Sequence, residues 1–149
     1  MNAKYGMREI IVFKQSDAAY LLALLLRYRI LRIPLGLTFS KQDLVKDRLD
    51  IHIGMVDGDT ILATLILTDM DDKTIKMRQV AVDTPYQNEG IGKEIVKYAE
   101  HYAMEKGFHI IHCHARDTAR EFYLKAGYKI VGDSFSEVGI KHYYMEKKL

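Results

Sequence analysis

A chain of 149 residues that is 48% hydrophobic can bury one core but is short for two, so a single domain over residues 1–149 is expected. Its 22 basic and 20 acidic side chains are intermixed and leave a net charge of only +2, which excludes the basic stripe of a nucleic-acid surface. Cys113 is the sole cysteine, and the most apolar run, residues 18–26, is about half a membrane span; no disulfide, no signal peptide and no membrane partner are expected, with the cytoplasm as the default location.

Arg8 to Phe13 reads as a buried first strand, with Ile10, Ile11 and Val12 nearly continuous. Ser16 or Asp17 is placed to cap a leucine-rich helix running to about Arg29. The basic residues Arg27, Arg29 and Arg32 have two readings: they complement a helix C-terminus, or they line a pocket that holds a carboxylate. Ser40 or Thr38 opens a short helix over residues 41–49. Residues 51–56 and 61–68 form a hairpin about Asp57-Gly58-Asp59, and Asp69, Asp71 and Asp72 read as a solvated turn before a strand starting at Thr74. In that strand the apolar positions Ile75 and Met77 are followed by Val80 and Val82, one residue out of phase. A period-two strand accommodates this only with an extra residue near Arg78-Gln79, a β-bulge.

The stretch after it, Val80-Ala81-Val82-Asp83-Thr84-Pro85-Tyr86-Gln87-Asn88-Glu89-Gly90-Ile91-Gly92, passes from strand to turn to amphipathic helix. Glycines at 90 and 92 leave backbone N–H groups open to a ligand, and the helix dipole points at the same place, so an anion such as a phosphate is the expected guest. A P-loop fails on spacing, because Gln87 and Glu94 stand where Gly and Ser or Thr are required. A dinucleotide fingerprint fails at Ile95, where a third glycine is needed.

The loop resembles instead the Q/R-x-x-G-x-G/A pyrophosphate loop of the GNAT superfamily of N-acetyltransferases, met by Gln87, Asn88, Glu89, Gly90, Ile91 and Gly92. Val80-Ala81-Val82-Asp83 and Pro85-Tyr86 match that family's lead-in, and Ala119-Arg120-Glu121-Phe122-Tyr123 its A-x-x-F-Y pattern. The likeness is good over residues 75–130 and holds in outline before them. It implies an α/β (α+β) fold: a mixed, mostly antiparallel sheet of six to seven strands, about four helices on both faces, and a V-shaped splay between strands 4 and 5. It also implies acetyl-CoA as cosubstrate, with pantetheine on the Val80, Ala81 and Val82 backbone, pyrophosphate on residues 87–92, and Lys93 nearby. Arg116, Arg120 and Lys125 are weaker candidates for the remaining CoA phosphates. Tyr123 would protonate the departing thiolate.

Beyond the loop, residues 91–106 form a helix closed by Gly107. Residues 109–115 alternate as a strand that turns Cys113 toward apolar neighbours, which argues against an acyl-cysteine route. His112 and His114 share its other face, but with no third ligand near them no metal is expected. Thr118 and Glu121 have capping-box spacing for the helix that holds Tyr123. Residues 128–131 form a strand, 132–139 a loop, and 141–147 a last strand with His142, read as an acceptor contact or base or else as an ordinary strand residue.

Two family features are missing. The strand from Thr74 to Val82 has no glutamate to deprotonate the amine, and Ala115-Arg116-Asp117 stands where many members have an asparagine. The reading is therefore direct acetyl transfer to an amine, small-molecule or peptide, in a ternary complex, with a non-catalytic CoA sensor as the alternative. A homodimer remains open.

Overall fold

The computed structural model describes residues 7–149. Eight strands form a single mixed sheet: β1 (Arg8–Phe13), β2 (Ile51–Asp57), β3 (Thr60–Asp69), β4 (Thr74–Val82), β5 (Ile110–Arg116), β6 (Lys129–Ile130), β7 (Phe135–Glu137) and β8 (Ile140–Lys148). Their order is β1-β2-β3-β4-β5-β8-β6, with β7 also on β8. The strand missed in the sequence is β7, inside the expected loop 132–139. It hairpins onto β8 through Val138 and Gly139, both at positive φ (47° and 75°). A valine there is against local preference, so the usual turn signal is absent.

Four helices flank the sheet: α1 (Ala19–Arg27), α2 (Lys41–Lys46), α3 (Ile91–Glu105) and α4 (Arg120–Lys125). The core lies on both faces, which is why β3 is buried almost without interruption from Ile61 to Leu67. On one face Tyr20, Ala23 and Leu26 of α1 pack with Phe13, Val56 and Ala81; on the other, Ile91, Ile95 and Ala99 of α3 pack with Met55, Leu62 and Met77.

Helix starts follow their caps only in part. Ser40 and Asp43 exchange the reciprocal hydrogen bonds of a capping box at α2. At α1 the expected cap does not form, since Asp17 accepts from Lys14 N–H (2.8 Å) and Ala18 holds the N-cap. The Thr118–Glu121 box is likewise absent: a 3-10 turn over Asp117–Ala119 leads into α4, whose N-cap is Ala119. The helix from α1 continues past Arg27 as a π-helical turn, Tyr28–Arg32, before Gly36 (φ 68°) ends the segment. Such turns recur at functional sites because they reorient side chains without ending the helix.

The expected bulge is present and positions the site. Ile66 pairs with Arg78 and Thr64 with Ala81, so Gln79 and Val80 oppose Leu65 alone. Gln79 takes φ 55°, a strained conformation for a side-chain-bearing residue, and Ile75, Met77, Val80 and Val82 all reach the same core.

Candidate active site

β4 and β5 run parallel and pair only from Thr74↔Ile110 to Lys76↔His112. Beyond Lys76 the bulge turns β4 away, and the strands part into a V. A cavity of about 780 Å³ opens in the gap, lined by residues 77–80 on one side and 113–116 on the other. Val80, in the bulge, lines the opening, and Ala81 and Val82, which follow it, stay paired with Thr64 and Ala63 of β3.

The glycine turn follows directly from this strand. Gln87 Nε2 donates to Val82 O (2.9 Å), clamping the turn to the end of β4. Asn88 and Gly90 adopt φ 65° and 82°, conformations that glycine takes freely and asparagine tolerates. The first bond of α3 runs from Glu94 N–H to Gly90 O (3.0 Å), so the N–H groups of the preceding turn have no helical acceptor. Space around Gly90 is open, with nothing within 4 Å of where a Cβ would stand. The residues present therefore fit a pyrophosphate, held by backbone donors and the dipole of a fifteen-residue helix. Lys93 lies exposed on the first turn of α3, and Glu89 is an exposed partner of Arg8 (3.8 Å).

Tyr123 on α4 is 6% exposed and lines the cavity, packed edge-on against Phe122 (5.0 Å) and Tyr128 (5.4 Å). Burial, followed by the nearby Cys113, raises its pKa, so the phenol stays protonated and able to donate. Cys113 is buried beside it, and burial pushes its thiol up to about 12. A nucleophilic thiolate is not available there near neutral pH.

Charge is concentrated on the other wall. Asp47, fully buried, accepts from Tyr20 Oη (2.6 Å), Arg27 Nη1 (2.9 Å) and Arg78 Nη2 (3.1 Å). Arg78 also reaches Asp50 (2.6 Å), and Arg27 Nε donates to Gln79 Oε1 (3.3 Å), holding the strained bulge residue. Burial alone would raise the Asp47 carboxyl, but Tyr20 and the two arginines bring it below its ordinary value. Arg27 is thus a buried structural cation, not the solvated helix-end charge that its place in the sequence suggests.

Arg32 and Arg116 differ. Both donate to Leu31 O (3.4 and 3.1 Å), both line the cavity, and neither has a carboxylate partner among the described residues. Arg32 lies over Phe39 at 4.8 Å. Burial lowers both guanidinium pKa values; the Asp43 carboxylate works against this at Arg32, whereas the charge of Arg32 adds to it at Arg116. Arg116 thus lines the cavity beside Arg32, and no residue of the glycine turn lines it with them. Arg120 is engaged by Tyr143 Oη (3.2 Å).

His142 is 3% exposed and also lines the cavity, opposite Arg116 in the β5–β8 register. Its Nδ1 lies 2.8 Å from Ile140 O, and its Nε2 lies 3.7 Å from Glu137 Oε2. Glu137 belongs to β7 and was missed with that strand. Burial would raise its carboxyl, but the His114 hydrogen bond and the charges of His114, His142 and Lys76 bring it below the usual range.

A V-shaped parting of parallel strands beside a glycine turn and helix N-terminus defines an acyl-transferring class of protein. The family model described as an acetyltransferase (GNAT) domain matches residues 39–149. The Bacillus subtilis protein YitI, an uncharacterized N-acetyltransferase, is 26% identical over 131 residues, covering 83% of this chain and 88% of its own. The Bacillus subtilis protein YyaT is 37% identical over 76 residues, a match spanning 51% of each chain, so this chain aligns with about half of that relative's length. A solved structure of a candidate N-acetyltransferase from Lactobacillus plantarum superimposes with TM-score 0.85 at 25% identity, covering 95% of this chain and 98% of the other. This chain belongs to the GNAT acetyltransferase family.

Proposed function

We propose that the protein transfers an acetyl group from acetyl-CoA directly to the amine of a small acceptor that also carries an anionic group, both substrates being bound together. The observation that carries this reading is the composition of the cavity at the V. The cavity has a protonated phenol (Tyr123) and a histidine held by its neighbours (His142), and beside them Arg32 and Arg116, cations with no carboxylate partner among the described residues.

In this reading the pyrophosphate rests on the backbone of residues 87–92 and pantetheine follows Val80 to Val82 into the V. The acceptor arrives as an ammonium, which cannot attack, and His142 Nε2 takes its proton. The nitrogen then adds to the thioester carbonyl and the C–N bond forms; as the C–S bond breaks, Tyr123 protonates the thiolate and its phenol is restored by the second proton of the acylated nitrogen. Backbone N–H groups on the splayed strand stabilise the oxyanion. The unreactive Cys113 supports direct transfer over an acyl-enzyme. Two half-buried guanidiniums repel each other and are relieved by an anion between them, which is why an acidic amine suits the site better than a polyamine.

The test is a calorimetric titration of acetyl-CoA into wild type and Gly90→Glu, with ATP as competitor, followed by an amine panel that pairs amino acids with their amides. Gly90 sits at φ 82°, so the substitution adds both strain and a negative charge; a loss of affinity of at least about thirtyfold is expected. Acetyl-CoA binding without turnover on any amine would favour a CoA sensor, and equal use of acids and amides would remove the anionic acceptor.

A further inference from the structure

His142 has an acid–base neighbourhood that the transfer step alone does not use. β7 inserts Glu137 between histidines from two other strands: its Oε1 lies 2.9 Å from His114 Nδ1 on β5, and its Oε2 lies 3.7 Å from His142 Nε2 on β8. The same Phe135 ring fixes both imidazoles, edge-on to His114 at 5.1 Å and stacked on His142 at 5.9 Å. Ile140 O can only accept, so His142 Nδ1 carries a proton, and the neutral ring turns its lone pair at Nε2 toward the cavity and Glu137. Burial separates the two rings as well: the His142 side chain is 4% exposed, whereas that of His114 is 27% exposed.

We propose that Glu137 is a positioning residue held against His142 by His114, and that it passes the proton released by the acceptor amine from His142 to solvent. The proposal rests on the acetyl-transfer reading above. An ammonium and a thioester give an amide, a thiol and one proton. Of the two protons the nitrogen loses, one reaches the thiolate by way of Tyr123 and one must leave. Placed on His142 Nε2, in a side chain only 4% exposed, it creates an N–H that faces the Glu137 carboxylate. Glu137, 45% exposed, can release that proton to water, while the N–H of His114 holds its other oxygen in place. A carboxylate between two imidazoles orients both and offsets the positive charge that appears on either.

The charged and titratable groups facing this trio are Lys76 from β4, His112 and Arg116 from β5, Tyr144 from β8, Arg32 from the π-helical turn and Tyr123 from α4. These arginines and Lys76 oppose a further cation on His142, so Glu137 is the group that makes proton uptake there tolerable. It also stands in for the absent strand glutamate: the carboxylate enters from the β7–β8 hairpin, and His114 lies just before the Ala115-Arg116-Asp117 segment that lacks the asparagine.

The experiment is an NMR titration of the histidine ring signals in wild type and Glu137→Gln, with acetyl-CoA turnover measured in parallel as thiol release. In wild type the His114 and His142 curves should each contain the other's step, as coupled sites do. In Glu137→Gln they should separate into independent single steps. The same variant should lose at least about tenfold in kcat/KM, with the acid limb of its pH profile displaced to lower pH because protonated His142 has lost its counter-charge, and Glu137→Asp should recover part of the rate. The Glu137 side chain is 45% exposed, so the amide is accommodated without loss of fold. Independent histidine titrations in wild type, or an acid limb that does not move in Glu137→Gln, would overturn the proposal. If neither protein releases thiol with any amine, the acetyl-transfer reading fails by itself, and the histidine titrations still decide whether Glu137 couples the two rings.

Discussion

The glycine turn at residues 87–92 is one contiguous piece of backbone, whereas the acceptor cavity collects Arg32 from a π-helical turn, Arg116 from β5, Glu137 from β7 and His142 from β8. The first binds through N–H groups whose direction is set by local φ and by the start of a helix, so little outside it needs to be correct. The second works only if segments up to 110 positions apart in the chain (Arg32 to His142) are brought together. In the proposed reading, cofactor recognition is therefore locally encoded and tolerant of change elsewhere, and acceptor recognition depends on the buried polar network that fixes the cavity wall.

Asp47→Ala tests that dependence most severely. The substitution leaves Arg27, 1% exposed, and part of Arg78 without their shared carboxylate, and breaking a buried ion pair costs about 3–5 kcal/mol. Chemical denaturation is expected to show that loss, with turnover falling further than acetyl-CoA affinity in whatever protein remains folded. Equal losses of both would mean that the two regions are not independent.

Tyr123→Phe probes the point where the regions meet. Loss of the proton donor should lower kcat by about a hundredfold or more, while calorimetry finds acetyl-CoA affinity close to wild type, since only the hydroxyl is removed from a well-packed ring. A wild-type rate would assign thiolate protonation elsewhere.

Arg32→Gln sharpens the acceptor side alone. One charge-assisted contact to an anion is worth about 1.5–3 kcal/mol, so the preference for amino acids over their amides should shrink by about tenfold or more, with Arg32→Lys intermediate. A preference that does not change would return Arg32 to the role of a solvated helix-end cation.

The effect that touches the site itself least concerns pH. His112 is 5% exposed; burial, then Lys76 and His114, holds its pKa down at about 4, from an ordinary 6.5. In the unfolded chain it takes up a proton as pH falls through 6.5, and in the folded chain only near 4, so stability should fall across that window and then level off. The contribution is at most about 3 kcal/mol, and His52, also held neutral by burial, acts in the same direction. His112→Phe should flatten the profile between these limits without changing acetyl-CoA affinity.

Much of the fold was legible because it rests on short-range patterns. The phase slip between Met77 and Val80 announced the bulge, since a strand has only two faces and a buried set cannot change sides without an inserted residue. Gln87 to Gly92 announced the open glycine turn for a similar reason: its geometry is backbone geometry, set by which residues tolerate positive φ. Tyr123 was legible through its motif. Glu137 was not, because β7 is three residues long and turns through a valine at φ 47°, a conformation held by pairing with β8 and not by local preference.

The arginines mark the same boundary. Arg27, Arg32, Arg78 and Arg116 are alike as residue types, and charge along a chain does not reveal its partner. Folding buries Arg27 and Arg78 against Asp47 and leaves Arg32 and Arg116 facing the cavity. The sequence by itself determined the sheet, the bulge, the glycine turn and the inert setting of Cys113, all governed by periodicity and backbone sterics over a few residues. Only the tertiary structure decided which cations are neutralised, which histidines share a carboxylate and how the acceptor side is closed. Electrostatic partnership depends on distances across the sheet, and no local pattern encodes them.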